Sequence, residues 1–128
     1  MIKNKITVIT PTYNRDHTLL ACYESLLSQT SLNFLWLIVD DGSTDNTSEL
    51  VTCWKNECSK FEIDYIQKSN GGKASALNMA FDFLKTNYAV VLDSDDLFYP
   101  TAIESASKEL ASCNEDLKCC GLMALRHN

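Results

Sequence analysis

The chain has 128 residues, of which 45% are hydrophobic and 22% charged, as expected of one soluble globular domain. Its formal charge is -6 and its pI lies near 4.7, whereas domains that bind nucleic acids through phosphates are usually basic. The charge balance therefore argues against DNA or RNA as a partner.

Neither a targeting segment nor a membrane span is visible in the sequence. The start, MIKNK, leads into a short β-rich run without the long apolar region and cleavage site of a signal peptide. No apolar run has the length of a membrane span. The six cysteines include no C-x-x-C pair, and Cys22, Cys53 and Cys113 fall in predicted helices. Reduced, structural thiols are therefore predicted, and with them a cytoplasmic location.

The first half of the chain alternates strand and helix patterns. Residues 6–10 predict a strand that Pro11 ends, and Phe34–Asp40, apolar on both faces, predicts a central strand covered on both sides. Between them, residues 16–29 have the periodicity of a helix. The side chains expected to face inward from that helix are Leu19, Leu20, Tyr23, Leu26 and Leu27.

The alternation continues in the second half. A helix is predicted from residue 45 to residue 55 or beyond, with Ser43 or Asp45 as its N-cap, and residues 61–66 predict a strand nearer the sheet edge. Residues 73–84 form a helical pattern, 88–92 a fourth strand, and 100–113 a helix begun by Pro100. Residues 118–126 resemble the start of a further strand. The inward stripe expected on the third helix is Ala76, Leu77, Ala80, Phe81 and Leu84.

This βαβαβαβαβ order predicts an α/β fold with a mostly parallel sheet and right-handed crossovers. No linker, repeat or low-complexity segment divides the chain, so residues 1–128 are taken as one unit. Because the sequence ends just after a predicted core strand, we expect it to be part of a longer domain.

The densest polar motifs all follow predicted strands. They are PTYNR (11–15), DDGSTD (40–45), KSNGGK (68–73) and DSDD (93–96). In an open parallel sheet, ligands bind outside the carboxyl ends of the strands. These loops therefore predict a binding site at one edge of the sheet.

Asp93 and Asp95 are candidate metal ligands. If the backbone is still extended there, both carboxylates point to one side, an arrangement that suits Mg²⁺ or Mn²⁺. The alternative is a solvated acidic turn in which Ser94 or Asp96 caps the next helix. Metal binding is favoured because a buried strand delivers the group to the ligand edge.

The other three loops leave their alternatives open. Asp40 and Asp41 are explained equally well by a local turn or by carboxylates that bind a nucleobase N–H or ribose hydroxyls. Taken alone, the NGGK segment is better explained as a plain loop than as a phosphate site formed by backbone N–H groups and Lys73. Tyr13 is suited to stack on a base, while Arg15 is expected to be a surface residue near the first helix.

In order and spacing, PTYNR, LIVDDGSTDNT, NGGKASALN and VVLDSDD resemble the motifs of the inverting family 2 glycosyltransferases of GT-A fold, over about residues 4–105. The resemblance implies a Rossmann-like fold with helices on both faces of the sheet. It also implies that this chain is the nucleotide-sugar-binding, or donor, part of the domain and that the acceptor part lies elsewhere.

The resemblance assigns roles by motif position. Pro11 and Tyr13 would border the nucleobase, Asp41 would hydrogen-bond it with Asp40 close by, and Lys73 would contact the nucleotide or its phosphates. Asp93 is expected near the ribose or the metal, Asp95 should ligate the metal directly, and Ser94 between them counts with the donor-binding residues. Because Asp96 is an additional acid, the sequence leaves open which carboxylate is the main metal ligand.

The implied reaction is transfer of a sugar from a nucleoside-diphosphate sugar, with UDP favoured, to a glycan or lipid-linked acceptor hydroxyl. The implied cofactor is Mn²⁺ or Mg²⁺. Such an enzyme works in the cytoplasm or peripherally at the inner membrane face. The general base is expected beyond Asn128, so no catalytic residue is assigned.

Three alternatives compete with this interpretation. A catalytically inert nucleotide-binding domain would share the donor motifs. A phosphatase of the haloacid dehalogenase type would use Asp93 as nucleophile and Asp95 as acid, but it places that motif on an early strand. A receiver domain needs a phosphoacceptor aspartate after its third strand, and FEIDYIQKS supplies none.

Overall fold

In the part of the chain that the computed structural model describes, four strands alternate with four helices. The structure describes residues 2–112, with side chains from 5 to 111. The elements are β1 (Ile2–Thr12), α1 (Asp16–Leu27), β2 (Phe34–Asp40), α2 (Thr47–Glu57), β3 (Ile63–Gln67), α3 (Lys73–Asp82), β4 (Thr86–Val91) and α4 (Ala102–Ser112). The strand predicted at 118–126 and Cys113 lie outside the described residues. Within Ile2–Ser112, no helix is both long and apolar enough to span a bilayer.

The strands form one parallel sheet in the order β3-β2-β1-β4, which confirms the predicted α/β class. From β1 the chain first moves outward to β2 and β3, and then returns to the other side of β1 with β4. The strand order therefore reverses between β1 and β4. In open α/β sheets the crevice at such a reversal is where ligands bind.

Helices cover both faces of the sheet, but unequally. On one face α1, α2 and α4 build a large core in which the rings of Tyr23, Trp36 and Trp54 all contact one another. The ring centroids are 5.8 Å apart for Tyr23 and Trp36, 4.6 Å for Tyr23 and Trp54, and 6.2 Å for Trp36 and Trp54. On the other face, α3 is the helix that packs on the sheet within residues 2–112, and it presents Ala76 and Ala80 to the strands. The two small side chains let α3 approach the strands closely, which brings its first residue to the sheet edge.

The prediction that Pro11 ends the first strand was wrong, because β1 continues to Thr12. Pairing with β4 ends at Ile9, whose carbonyl accepts from Leu92 N, whereas pairing with β2 continues to Thr12. Successive residues of a strand bond to alternate sides, so the missing N–H of Pro11 faces the side that β4 has already left. Proline therefore costs no ladder bond here.

Two inward-facing predictions were also wrong. Leu20 is 50% exposed and Phe81 is 58% exposed. The buried arc of α1 consists of Leu19, Cys22, Tyr23 and Leu26, and Leu20 lies one residue outside it. On α3 the contact surface is narrow because its centre is made of alanines.

Helix α2 begins at Thr47, two residues later than predicted, with Asn46 at the N-cap position. Asp45 still serves this helix start, since its Oδ1 accepts hydrogen bonds from Thr47 N and Thr47 Oγ1 at 3.0 and 2.6 Å. Burial alone would raise the pKa of Asp45, but these bonds and the one from Asp16 N outweigh it and lower that pKa.

Candidate functional site

A cleft of about 330 Å³ lies at the carboxyl ends of β1 and β4. All four polar loops contribute to its wall, together with the first turn of α3. The lining residues are Pro11, Thr12, Tyr13, Arg15, Asp41, Lys73, Ala76, Asp93, Ser94 and Asp95. Every sequence-predicted site residue except Asp40 is in this set, so the structure brings together groups that are up to 84 positions apart in the chain (11 to 95).

An acidic cluster forms one wall of the cleft. Asp93, Asp95 and Asp96 each offer a carboxylate oxygen, and the three oxygens lie within 4.8 Å of one another. A backbone bond of 3.0 Å from Asp96 N to Asp93 O closes the turn, and the carbonyl of Ser94 accepts from Thr18 Oγ1 at 3.0 Å. Convergent oxygens held on a fixed turn are ligands that fit Mg²⁺ or Mn²⁺.

Lys73 lies opposite this cluster at the start of α3. Its Nζ is 2.7 Å from Asp93 Oδ1, and the two side chains are 58% and 36% exposed. The lysine therefore already neutralises one of the candidate metal ligands. Its position at a helix start also adds to the positive potential of the helix N-terminus.

Asp41 is buried and accepts three hydrogen bonds. Lys68 Nζ and Gly71 N donate to Oδ1 at 2.7 and 2.9 Å, and Gly72 N donates to Oδ2 at 2.8 Å. Burial alone would raise its pKa, but these donors outweigh burial and lower that pKa. The carboxylate thus holds the KSNGGK loop against α3. Because an ionised carboxylate has about four acceptor positions, one remains for a ligand.

Asp40 lies behind the cleft, with 1% of its surface exposed. Its Oδ1 accepts from Ser43 N at 2.8 Å, and its Oδ2 accepts a short hydrogen bond from the Tyr65 hydroxyl. Burial and then this bond raise the pKa of Tyr65. The resemblance implies that Asp40 lies close to the base, which stays a prediction; its carboxylate fixes a turn and joins β2 to β3.

Arg15 and Lys68 are the charged residues of the site that sequence reasoning missed. Arg15 is exposed, as predicted, but it also lines the cleft. Lys68 is 8% exposed at its side chain and is the counter-charge of Asp41. A signal for Lys68 was present, since a carboxylate directly after a buried strand needs a cation or several donors. No comparable signal identified Arg15.

The family model described as Glycosyl transferase family 2 matches residues 7–124 of this chain. An uncharacterized glycosyltransferase of Rickettsia felis is 43% identical over 110 residues, which are 86% of this chain and 18% of that protein. The chain thus spans less than a fifth of the length of that relative.

Solved structures show the same fold. S. aureus TarS 1-349 in complex with UDP has a TM-score of 0.76 and 27% identity, over 84% of this chain and 32% of that one. The mannosyltransferase PcManGT of Pyrobaculum calidifontis, in complex with GDP-Man and Mn²⁺, has a TM-score of 0.72 and 26% identity, over 83% and 31%. The sheet order, the strand-end cleft and the family match over most of the sequence agree: this chain belongs to glycosyltransferase family 2.

Proposed function

We propose that the chain forms the donor-binding part of a metal-dependent, inverting glycosyltransferase that uses a nucleoside-diphosphate sugar. One observation carries the proposal: an aromatic side chain, a carboxylate cluster and two cations line a single cleft at the strand-order reversal. The similar solved structures support it, since their ligands are UDP, UDP-GlcNAc, and GDP-Man with Mn²⁺.

The chain's own residues divide the donor between them. Tyr13 is 47% exposed, which leaves its ring face available to stack on a base beside Pro11. The remaining acceptor position of Asp41 suits a base N–H. At the other end of the cleft, Asp93, Asp95 and Asp96 would hold Mn²⁺ or Mg²⁺ next to the diphosphate. The cation would stabilise the negative charge that grows on the leaving diphosphate oxygen.

The remaining parts of the reaction belong to the same proposal. We propose a UDP-sugar as donor, a glycan or lipid-linked hydroxyl as acceptor, and a general base supplied from beyond Asn128. The work would take place in the cytoplasm or at the inner membrane face. An inverting mechanism needs that base on the sugar face opposite the leaving group; in this proposal the acidic cluster and the two cations of the cleft act on the leaving-group side.

Thermal unfolding tests the donor site. UDP at 100 times its Kd with saturating Mn²⁺ should stabilise the fold by about 2.7 kcal/mol, which raises Tm by roughly 8 °C for a domain of this size. EDTA or Asp95→Ala should abolish the gain. Asp82→Ala, which removes an exposed carboxylate at the end of α3, should retain it. Absence of a shift with UDP, GDP and dTDP alike would refute the proposal.

Two enzymatic assays separate the alternatives. If a chain extended past Asn128 binds UDP but transfers no sugar to any acceptor tried, the inert nucleotide-binding domain is favoured. Release of phosphate from a phosphomonoester, lost in Asp93→Asn, would favour the phosphatase. The position of the DSDD loop after β4, the fourth strand, already argues against that phosphatase.

A further inference from the structure

The loops that follow β1 and β2 are joined by reciprocal hydrogen bonds, which we call the loop clasp. Each bond joins a backbone N–H of one loop to a side-chain oxygen of the other. The four bonds are Asn14 N to Ser43 Oγ (2.9 Å), Thr44 N to Asn14 Oδ1 (2.8 Å), Asp16 N to Asp45 Oδ2 (3.1 Å) and Asn46 N to Asp16 Oδ2 (3.2 Å). The partners are 29 or 30 residues apart, so the loop after β1 is held in place by the loop after β2.

The clasp determines which side chains of the first loop reach the cleft. Asn14 has a φ of 51°, a left-handed conformation that asparagine tolerates better than most residues. Its side chain bonds to Thr44, while its neighbours Tyr13 and Arg15 both line the cleft. The Arg15 carbonyl accepts from Leu19 N at 3.0 Å as α1 begins. The backbone that carries the guanidinium is thus held on both sides.

The charges around the cleft single out Arg15. Lys68 pairs with Asp41 and Lys73 pairs with Asp93. Among the ion pairs of side chains 5–111, none includes Arg15, although it lines the same cleft as Asp93 and Asp95. Its guanidinium donors therefore remain available to a ligand. A planar fork of N–H groups matches the oxygens of a phosphate, to which it can donate two bonds.

We propose that Arg15 contacts the diphosphate of the donor and that the loop clasp positions it for this contact. The inference rests on the proposed donor site and adds a residue to it. Tyr13 and Arg15 belong to the same loop and line the same cleft as Asp93 and Asp95, so a single donor molecule can contact all four side chains. Arg15 is then a second cation for the diphosphate, distinct from Lys73 because it has no carboxylate to release first.

Isothermal titration with UDP and with uridine, both in saturating Mn²⁺, tests the contact. Arg15→Gln should weaken UDP about tenfold, the low end for a hydrogen bond to a charged group, and leave uridine unchanged. Arg15→Lys should recover part of the loss. Lys55→Gln, which removes the same charge at the far end of α2, should bind both as wild type does. The inference would be overturned if Arg15→Gln weakened the binding of UDP and uridine equally, or if it weakened the binding of neither.

The clasp is tested with Ser43, whose replacement changes no charge. Ser43→Ala removes the acceptor of Asn14 N and should weaken UDP severalfold, while Ser43→Thr keeps the hydroxyl and should restore it. Mn²⁺ affinity without nucleotide should not change, because Thr18 ties the acidic turn to α1 independently. Unchanged UDP affinity in Ser43→Ala would overturn the positioning role. If wild type itself binds no nucleotide, the proposed function fails instead.

Discussion

Replacing Lys73 by methionine is expected to raise the affinity for Mn²⁺ in the absence of nucleotide. The ammonium of Lys73 lies 2.7 Å from Asp93 Oδ1, and Asp93 supplies one of the three convergent oxygens of the acidic cluster. A divalent cation that takes this carboxylate as a ligand competes with the lysine for its negative charge and is repelled by the ammonium. The wild-type chain therefore contains a competitor for its own metal site, and the variant does not.

The exposure of the pair limits the size of this effect. Because the two side chains are 58% and 36% exposed, water screens their attraction. A pair at about 4 Å in bulk water gains about 1 kcal/mol, and measured exposed pairs contribute about 0–1 kcal/mol. Removing the competition should thus tighten Mn²⁺ binding up to about fivefold. The gain should shrink in 1 M salt.

Titration calorimetry with Mn²⁺ alone measures the effect, and Lys85→Met is the matched control. Lys85 pairs with Glu62 and Asp64 at 3.2 and 3.0 Å, next to the amino end of β4 and away from the cleft. The Lys85→Met substitution removes the same charge from the protein as Lys73→Met does. The reasoning is wrong if Lys73→Met binds Mn²⁺ no tighter than Lys85→Met. With Mn²⁺ saturating, Lys73→Met should bind UDP more weakly, so the two ligands respond in opposite directions.

Three further predictions concern the fold around the site. Asp41→Asn should lower the free energy of unfolding, measured in urea, by about 3 kcal/mol because Lys68 stays buried without its charged partner. The wild-type protein should lose stability as the pH falls below about 4, where the Asp41 carboxyl is protonated in the unfolded chain but, with its lowered pKa, still ionised in the folded one. If the stability of the variant fell equally steeply over this pH range, the reasoning would be contradicted. Gly42→Ala should destabilise by about 2 kcal/mol, since φ is 89° and a Cβ would lie 3.0 Å from Asn70 N; unchanged Tm would be the contrary result. Iodoacetamide should modify exposed Cys53 in native protein but spare Cys22, whose burial raises its pKa to about 12, and peptide mass mapping decides.

The sequence was most informative where burial alone decides the structure. Phe34–Asp40 was predicted with the bounds that the structure shows. Six of its seven residues are apolar and all seven are buried, as expected of a central strand covered on both faces. Where one helix face meets few partners, as at Phe81, periodicity overestimated the buried arc. The predicted strand end at Pro11 was wrong for a related reason. Whether a proline loses a hydrogen bond of the sheet depends on which neighbouring strand is still paired at that position, and local sequence does not contain that information.

The site was predictable as a set of loops but not as a set of bonds. Strand order brings the four polar motifs to one edge, and that follows from the βα alternation. The partner of Asp41, Lys68, is 27 residues away and could not be chosen over Lys73 from spacing. The placement of Arg15 depends on the left-handed backbone of Asn14, which the bond to Thr44 supports from the next loop.

The two consecutive aspartates at the end of β2 have separate structural tasks, and this distinguishes them from the acidic cluster. Adjacent residues of a strand face opposite sides, so Asp40 bonds Tyr65 beside α2 while Asp41 bonds the backbone before α3. Both are almost fully buried, and protein donors already occupy most of the acceptor positions of Asp41. After β4, by contrast, Asp95 is exposed, and the ion pair between Asp93 and Lys73 is partly open to solvent. Exposed carboxylates can exchange a protein partner for a metal more readily than buried ones, so the proposed cation site is assigned to the acidic cluster after β4 and not to the aspartates at the end of β2.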